Sequence, residues 1–179
     1  MEDIKLTMEE LEFFSENEKI KIQPLYRIDK IELITGTYGP FNPLRNTTVP
    51  LWLAILLVRA NRCRIICPSW LAAEYLERLI LQEKSPNSKF SVLPENYLLI
   101  AKILFEYAEN DITNSQLVRR RLQDLVEIRH SKIGLGLQVL NPVQLQMDNL
   151  STAEINSIKP IFKPGFDQLF SLSSVKNQN

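Results

Sequence analysis

The sequence has little of several residues on which protein chemistry often depends. Among its 179 residues there are only two cysteines and one histidine. Two cysteines cannot build the disulfide framework of a small secreted domain, and such sparing use fits a reducing compartment. A structural zinc site takes four Cys or His ligands, so Cys63, Cys67 and His130 fall short of one. We therefore expect no metal, and we expect the two cysteines to pack as small side chains.

Long apolar stretches and net charge are lacking as well. The longest apolar candidate, residues 49–60, contains Pro50 and Arg59 and is shorter than the roughly 18 residues that a membrane-spanning helix needs. The opening Met-Glu-Asp-Ile-Lys does not resemble a secretory signal. Lys plus Arg and Asp plus Glu both number 21, so no net field attracts nucleic acid or a membrane surface. We expect an intracellular protein with no membrane partner.

Motifs of catalysis and nucleotide binding are absent from the sequence. It contains no phosphate-binding loop of the Walker type, no glycine-rich dinucleotide fingerprint and no His-Glu-x-x-His motif. His130 has no Ser or Cys nucleophile motif beside it, so a surface position is the favoured interpretation. These observations predict that the protein is not an enzyme, with no catalytic residue and no cofactor.

Helix starts, in contrast, are clearly marked. The patterns Thr-Met-Glu-Glu at 7–10, Thr-Asn-Ser-Gln at 113–116 and Ser-Thr-Ala-Glu at 151–154 are capping boxes, each flanked by a hydrophobic staple. They predict helix N-termini near residues 8, 114 and 152. Apolar periodicity predicts further helices over 51–59, 69–83, 95–110 and 115–140. Glycine and proline are expected to disturb the last helices, at Gly134, Gly136, Pro142, Pro160 and Pro164.

The β-like sequence precedes these helices. Residues 19–23 and 31–35 alternate polar with apolar side chains, which is typical of half-buried strands, and residues 24–30 would connect them as a hairpin. The expected fold class is α+β, mostly α. A small β-rich domain with a leading and a connecting helix would occupy residues 1–62, and a helical-bundle domain would occupy residues 63–179.

The predicted helix at 95–110 is apolar on nearly all sides. Tyr97, Ile100 and Leu104 lie on one stripe, while Leu99 and Ile103 lie off it. Such a helix must be covered all round. Either it is the central helix of the bundle, or partner subunits cover its outer face.

A run of arginines, Arg119, Arg120 and Arg121, is the sharpest charge feature. Consecutive helical residues point about 100° apart, so the three cannot form one flat phosphate-binding face. Without an overall basic excess, solvated or interface arginines are favoured over a DNA site. Weak contacts with DNA or with a partner protein remain open for these residues.

Several motifs together resemble a known family. Gly-Pro-Phe-Asn-Pro at 39–43, Val-Pro-Leu-Trp-Leu-Ala at 49–54, Cys-Arg-Ile-Ile at 63–66 and Pro-Ser-Trp-Leu at 68–71 are similar to the second Psf subunit of the eukaryotic replication factor GINS. Later matches bring the resemblance to roughly residues 8–158. Cys67 departs from the family pattern, where a proline is usual, and so does the link 44–48.

The resemblance implies a fold and a role. The fold is a small β-rich domain followed by a larger helical domain, and the role is that of a structural subunit in a heterotetramer with three other GINS subunits. In the nucleus, this complex joins the MCM ring and its cell-division-cycle cofactor in the replicative helicase, with DNA contacted only indirectly or weakly. The expected anchors at the domain junction or at interfaces are Phe41, Pro43, Trp52, Trp70, Tyr97 and Leu104.

Two alternatives remain beside this interpretation. The first is a different GINS subunit with the same domain order, which the register between residues 39–43 and 49–54 disfavours. The second is a helical nucleic-acid-binding module that uses Arg119, Arg120 and Arg121, for which a salt-dependent affinity for DNA would be diagnostic.

Overall fold

The computed structural model describes residues 6–34, 36–85, 89–138 and 148–160, without the side chains of 136–138. The N-terminal elements in chain order are α1 (Met8–Ser15), β1 (Lys19–Pro24), β2 (Ile31–Leu33), β3 (Gly36–Tyr38), β4 (Thr47–Pro50), α2 (Leu51–Arg59) and β5 (Cys63–Ile65). The elements that follow are a 3-10 turn (Ser69–Leu71), α3 (Ala73–Glu83), α4 (Tyr97–Tyr107), a second 3-10 turn (Glu109–Asp111), α5 (Ser115–Gln138) and α6 (residues 152–160). The predicted fold class, α+β and mostly α, is confirmed.

Strand β1 is the centre of a three-stranded antiparallel sheet of order β4-β1-β5. Ile20 lies opposite Val49 of β4, and Ile22 lies opposite Ile65 of β5. These apolar side chains are buried and form one face of the strands, as the period of two requires. Alternation therefore identified β1 correctly and gave its buried face.

The predicted hairpin between the first two strands is wrong. Strand β2 pairs with β3 in a separate two-stranded sheet, with Ile31 opposite Tyr38. Strand β1 instead takes its partners from β4 and β5, which are only three or four residues long. Strands β4 and β5 are too short to show a repeated alternation of polar and apolar side chains, so the sequence pattern did not predict them.

Hydrogen bonds connect the region of the three-stranded sheet to helix α2 and to the turn after α4. The amide of Leu51, at the start of α2, donates to the carbonyl of Glu18 at 2.8 Å. The amide of Ile65 in β5 donates to the carboxylate Oδ2 of Asp111, in the turn after α4, also at 2.8 Å. One apolar core runs from the sheet into the helices. Strand β5 begins just beyond residue 62 and completes the three-stranded sheet. The division of the chain into domains at residues 1–62 and 63–179 stays a prediction.

The predicted helix starts agree with the structure. At α1, the amide of Glu10 donates to Thr7 Oγ1 and the amide of Thr7 donates to Glu10 Oε2, so the capping box is formed. Ser151 and Glu154 exchange the same two bonds at α6. Helix α5 begins at Ser115, one residue later than its motif predicts, after Asn114 at a φ of 54°.

The expected helix breakers have different outcomes. Helix α5 continues through Gly134 and Gly136 to Gln138, so neither glycine ends it. Pro160 is still helical in α6. Pro142 and Pro164 lie outside the described residues.

Helix α4 is covered by its own chain on nearly all sides, which favours the first of the two predicted alternatives, a central helix of the bundle. Its side chains on nearly all sides are buried within this chain, namely Tyr97, Leu99, Ile100, Ala101, Ile103, Leu104 and Phe105. Its exposed side chains are Lys102 and Glu106. The chain therefore covers this helix itself, and the apolar pattern of α4 gives no argument for a covering partner.

Candidate functional site

A fully buried arginine is the most unusual feature of the helical body. Arg129 of α5 is 0% exposed, and its guanidinium contacts two carboxylates. Its Nε and Nη2 donate to Glu154 of α6 at 2.7 and 3.0 Å, in the bidentate geometry that suits a planar guanidinium. Its Nη1 donates to Glu83 of α3 at 2.9 Å, and its Nη2 also reaches the carbonyl of Asn149 at 2.7 Å.

Further polar groups complete the pairing of the two carboxylates. Ser91 donates to Glu83 Oε1 through both its amide and its hydroxyl, each at 2.6 Å, and Lys132 Nζ donates to Glu83 Oε2 at 2.8 Å. The hydroxyl of Tyr97 in α4 donates to Glu154 Oε1 at 2.9 Å. Burial, and then the charge of Glu154, raises the pKa of Tyr97, so this hydroxyl stays protonated and remains a donor.

Both carboxylates are held ionised by their partners. Burial alone would raise the pKa of Glu83, but hydrogen bonds from Lys132 and Ser91, with the charge of Arg129, outweigh it and lower that pKa. Burial opposes ionisation of Glu154 in the same way, and Arg129 overcomes it, so the pKa of Glu154 is also lowered. A buried ion pair is tolerable only when its remaining lone pairs and protons are also satisfied, as they are here.

We name this group the charge cluster: Glu83, Ser91, Tyr97, Arg129, Lys132 and Glu154. It joins helices α3, α4, α5 and α6 with the segment before α4. In the described part of the chain, no buried side-chain nitrogen or oxygen lacks a hydrogen-bond partner. The cluster leaves no poised acid, base or nucleophile, so its geometry suits the fixing of helices and not the binding of a substrate.

The charge cluster was not predicted from the sequence. Its hydrogen-bonded pairs are separated by up to 57 residues, a distance at which no spacing rule applies. Of its members, the sequence indicated only Glu154, whose capping box places it at the start of α6, and Tyr97, which was expected as an anchor for a different reason. Arg129 gave no signal, because a single arginine among polar neighbours on a helix is ordinarily solvated.

The two cysteines and the histidine lie in different environments. Cys63 is buried and its thiol contacts the carbonyl of Ala54; burial, followed by the charge of Asp111, raises the pKa of Cys63 to about 11. Burial also raises the pKa of the half-buried Cys67. His130 is exposed. Within the described ranges, no three His, Cys, Asp or Glu side chains are grouped so that they could hold a metal ion.

The residues predicted as anchors differ in their burial. Phe41, Tyr97 and Leu104 are buried, at 1% exposure or less, whereas Pro43 is exposed. Phe41 exchanges two backbone hydrogen bonds with Ile28 and joins the core. These positions favour core contacts for the three buried residues, and their role as anchors stays a prediction.

The two tryptophans are half-buried at the junction of sheet and helices. Trp52 meets the ring of Tyr38 edge to face, with centroids 6.2 Å apart. Trp70 meets Tyr97 in the same way, at 6.5 Å. Each therefore packs inside this chain and leaves part of its surface exposed.

The arginine run does not converge on one surface. Arg119 forms a 3.9 Å ion pair with Glu109, and Arg121 approaches Glu77 of α3 at 3.4 Å. Arg120 is exposed between them. Because Arg119 and Arg121 are directed toward acidic groups of different elements, a common phosphate contact is disfavoured. Weak contacts of the three arginines with DNA or a partner stay a prediction.

Several large apolar side chains remain exposed on the surface. Phe13 and Phe14 of α1 are 67% and 57% exposed and touch each other edge to face. Ile34, next to the turn between β2 and β3, and Leu44 are also exposed. Such side chains are candidates for contacts with other proteins. Across the described ranges, every helix is too short or too polar to cross a bilayer.

Comparison with protein families gives two matches along the chain. The model of the PSF2 N-terminal domain matches residues 7–66, and the model of the GINS complex protein helical bundle domain matches residues 70–170. The first match covers all strands of the sheet, and the second covers α3 to α6.

Curated proteins give the same result over nearly the full chain. The DNA replication complex GINS protein psf2 of Schizosaccharomyces pombe is 37% identical over 176 residues, which cover 98% of this chain and 96% of that protein. The Saccharomyces cerevisiae PSF2 is 39% identical, covering 90% of this chain and 84% of the relative. The Xenopus laevis PSF2 is 33% identical, covering 94% and 93%.

Proposed function

This chain belongs to the PSF2 family of GINS DNA replication proteins, and we propose on that basis that it is a non-catalytic subunit of a GINS heterotetramer. The observation that carries the proposal is the match of both family models, which together span the sheet and the helical bundle. The relatives are named as PSF2 proteins, which weighs against a different GINS subunit.

The proposal gives the protein a structural role. Its charge cluster is hydrogen-bonded throughout and buried except at Lys132, which suits a rigid body that presents fixed surfaces to other proteins. Exposed apolar side chains such as Phe13 and Phe14 would be covered by the three other GINS subunits. The half-buried Trp52 and Trp70 would contribute to the same interfaces or to the junction itself.

A larger assembly follows from the family role. The heterotetramer would act in the nucleus, where it would join the MCM ring and its cell-division-cycle cofactor in the replicative helicase. DNA would be contacted indirectly or weakly, because net charge is zero and Arg119 and Arg121 already have acidic neighbours.

A pull-down from nuclear extract tests this proposal. The tagged chain is expected to retain the three other GINS subunits at low salt, together with MCM ring proteins and the cell-division-cycle cofactor, as identified by mass spectrometry. A variant with Phe13→Ser and Phe14→Ser, both exposed, would report whether α1 contributes to retention. Recovery of the folded chain without any GINS subunit would contradict the proposal.

A further inference from the structure

A groove lies at the junction between the sheet and the helical body. Its volume is about 480 Å³, within the range of pockets that hold ligand groups. Apolar side chains form its interior, among them Leu51 at the start of α2, Trp70 and Ile100 of α4. Cys67 also lines it and is only half-buried, so the groove is open to solvent. We call this the junction groove.

The edge of the junction groove is charged. Lys19 and Lys21 of β1 line it and are exposed, with Glu18 beside them. On a strand, residues two apart point to the same face, so the two ammonium groups emerge on one side, about 7 Å apart along the strand. Neither lysine has an acidic partner among the ion pairs of the described residues.

The backbone of β1 is only partly paired on the side of β5, within the described residues. The register of β1 with β4 begins at Lys19, whereas its register with β5 covers only Ile22 to Pro24. One further bond runs from the amide of Ile66 to the carbonyl of Lys21, and the chain then leaves the sheet toward Pro68. Among the residues that the structure describes, the first residues of β1 therefore have a strand neighbour on one side only, which is the arrangement that accepts an added extended segment.

We propose that the junction groove binds an extended segment of a partner protein that carries an apolar, preferably aromatic, side chain flanked by acidic residues. The apolar side chain would lie against Trp70 and Ile100. The flanking carboxylates would face Lys19 and Lys21. The proposal goes beyond assembly of the GINS heterotetramer, because it assigns a bound segment of stated chemistry to one surface of this chain.

Charge favours a protein segment over nucleic acid as the occupant. A single-stranded nucleic acid needs a continuous row of cations along its backbone, with aromatic surfaces for its bases. Here Glu18 lies directly before Lys19 at the groove, so the cations do not form a continuous row, and its carboxylate would repel a phosphate chain. A short acidic-apolar segment can place its carboxylates at the two lysines and avoid Glu18.

The thiol of Cys67 provides a probe inside the groove. The full-length chain is labelled with a small maleimide, and mass spectrometry follows modification at Cys67, with the buried Cys63 as an internal control for unfolding. The probes are the peptides Glu-Phe-Glu-Leu-Glu, Lys-Phe-Lys-Leu-Lys and Glu-Ser-Glu-Ser-Glu, and a ten-nucleotide thymidine oligomer. The proposal predicts that the first peptide slows labelling of Cys67 at least about fivefold at saturation, while the other three leave its rate within about twofold.

Charge reversal separates the groove from a general electrostatic effect. The double variant Lys19→Glu and Lys21→Glu is expected to weaken protection by the acidic peptide about tenfold. The matched control Lys30→Glu and Lys159→Glu makes the same change of charge at exposed positions that do not line the groove, and it should keep the protection unchanged. Equal loss in both variants, protection by the basic peptide or by the oligomer, or no protection by any probe would overturn the proposal. None of these results bears on assembly with GINS subunits, which is measured separately.

Discussion

The sheet region and the helical bundle fill their interiors in different ways. Around the sheet, the largest fully buried side chains are apolar, as at Ile22, Phe41 and Leu51. In the bundle, Arg129 is fully buried and bound to two carboxylates. Apolar packing contributes in proportion to buried area and is insensitive to pH, whereas a buried ion cluster is stable only while all its members are present and charged. The two regions should therefore respond differently to substitution and to acid.

The largest effect is expected from Arg129→Met. Removing the guanidinium leaves Glu83 and Glu154 buried with fewer partners, which should lower the free energy of unfolding by about 3–5 kcal/mol. Urea unfolding followed by circular dichroism measures this loss. Arg120→Met on the exposed side of the same helix is the control and should change stability by less than about 0.5 kcal/mol. Similar small effects in both variants would show that the cluster does not hold the bundle.

Phe41→Ala tests the apolar region with a somewhat smaller expected loss, about 3 kcal/mol, because it leaves a cavity in the core. The loss should be the same at neutral and at mildly acidic pH, since the Phe41 side chain carries no titratable group and packs in the apolar core. Denaturant unfolding of the variant and the parent at the two pH values measures it. A loss that changed with pH would indicate that the two regions are not separate in their energetics.

Acid should weaken the bundle through Glu83 and Glu154. Their pKa values are lowered in the folded chain, so their contribution to stability is present above the usual carboxyl pKa of 4.5 and is lost as pH falls through the lowered values. Unfolding free energy should thus be nearly constant from about pH 7 to 5 and should fall below about pH 4. In Glu154→Gln this decline should be shallower than in the parent chain. An unchanged slope would assign the acid sensitivity to other carboxylates.

The smallest effect concerns the contact that joins the two regions. Asp111→Ala removes the acceptor of the Ile65 amide at the edge of the sheet, and we expect a loss of about 1 kcal/mol. Hydrogen exchange of the Ile65 amide should accelerate more than exchange within α5. Asp111→Asn, which keeps a carbonyl acceptor, should retain most of the protection. Equal protection in all three proteins would mean that this bond does not fasten the sheet to the helices.

The difference between local and long-range contacts explains which parts of the fold could be predicted from the sequence. Helix α2 was predicted over residues 51–59, and α4 was predicted as an apolar helix, because burial repeats locally along both. The pairing of β1 with β4 and β5 was missed, since it joins short strands far apart in sequence. Arg129 was missed for a related reason: its partners Glu83 and Glu154 come together only in the folded chain.

The functional surfaces could be predicted from the sequence less completely than the fold. Phe41 belongs to a motif shared with a family, and Trp52 was selected because it lies in the first turn of an apolar helix at the predicted domain junction. Neither observation distinguishes a core contact from an interface. The junction groove had no signal at all, because Lys19, Cys67 and Ile100 form it from three separate parts of the chain. The spacing of apolar residues can identify the buried face of a helix or strand, but only the folded structure shows which residues that face contacts.

Assembly is the central claim, and native mass spectrometry tests it most directly. The chain would be co-expressed with the three other GINS subunits, purified through a tag on this chain alone, and weighed intact. The account predicts one species that contains one copy of each of the four subunits, with this chain contributing its 20.7 kDa. A folded chain that stays alone, or that associates only with itself, would contradict the account.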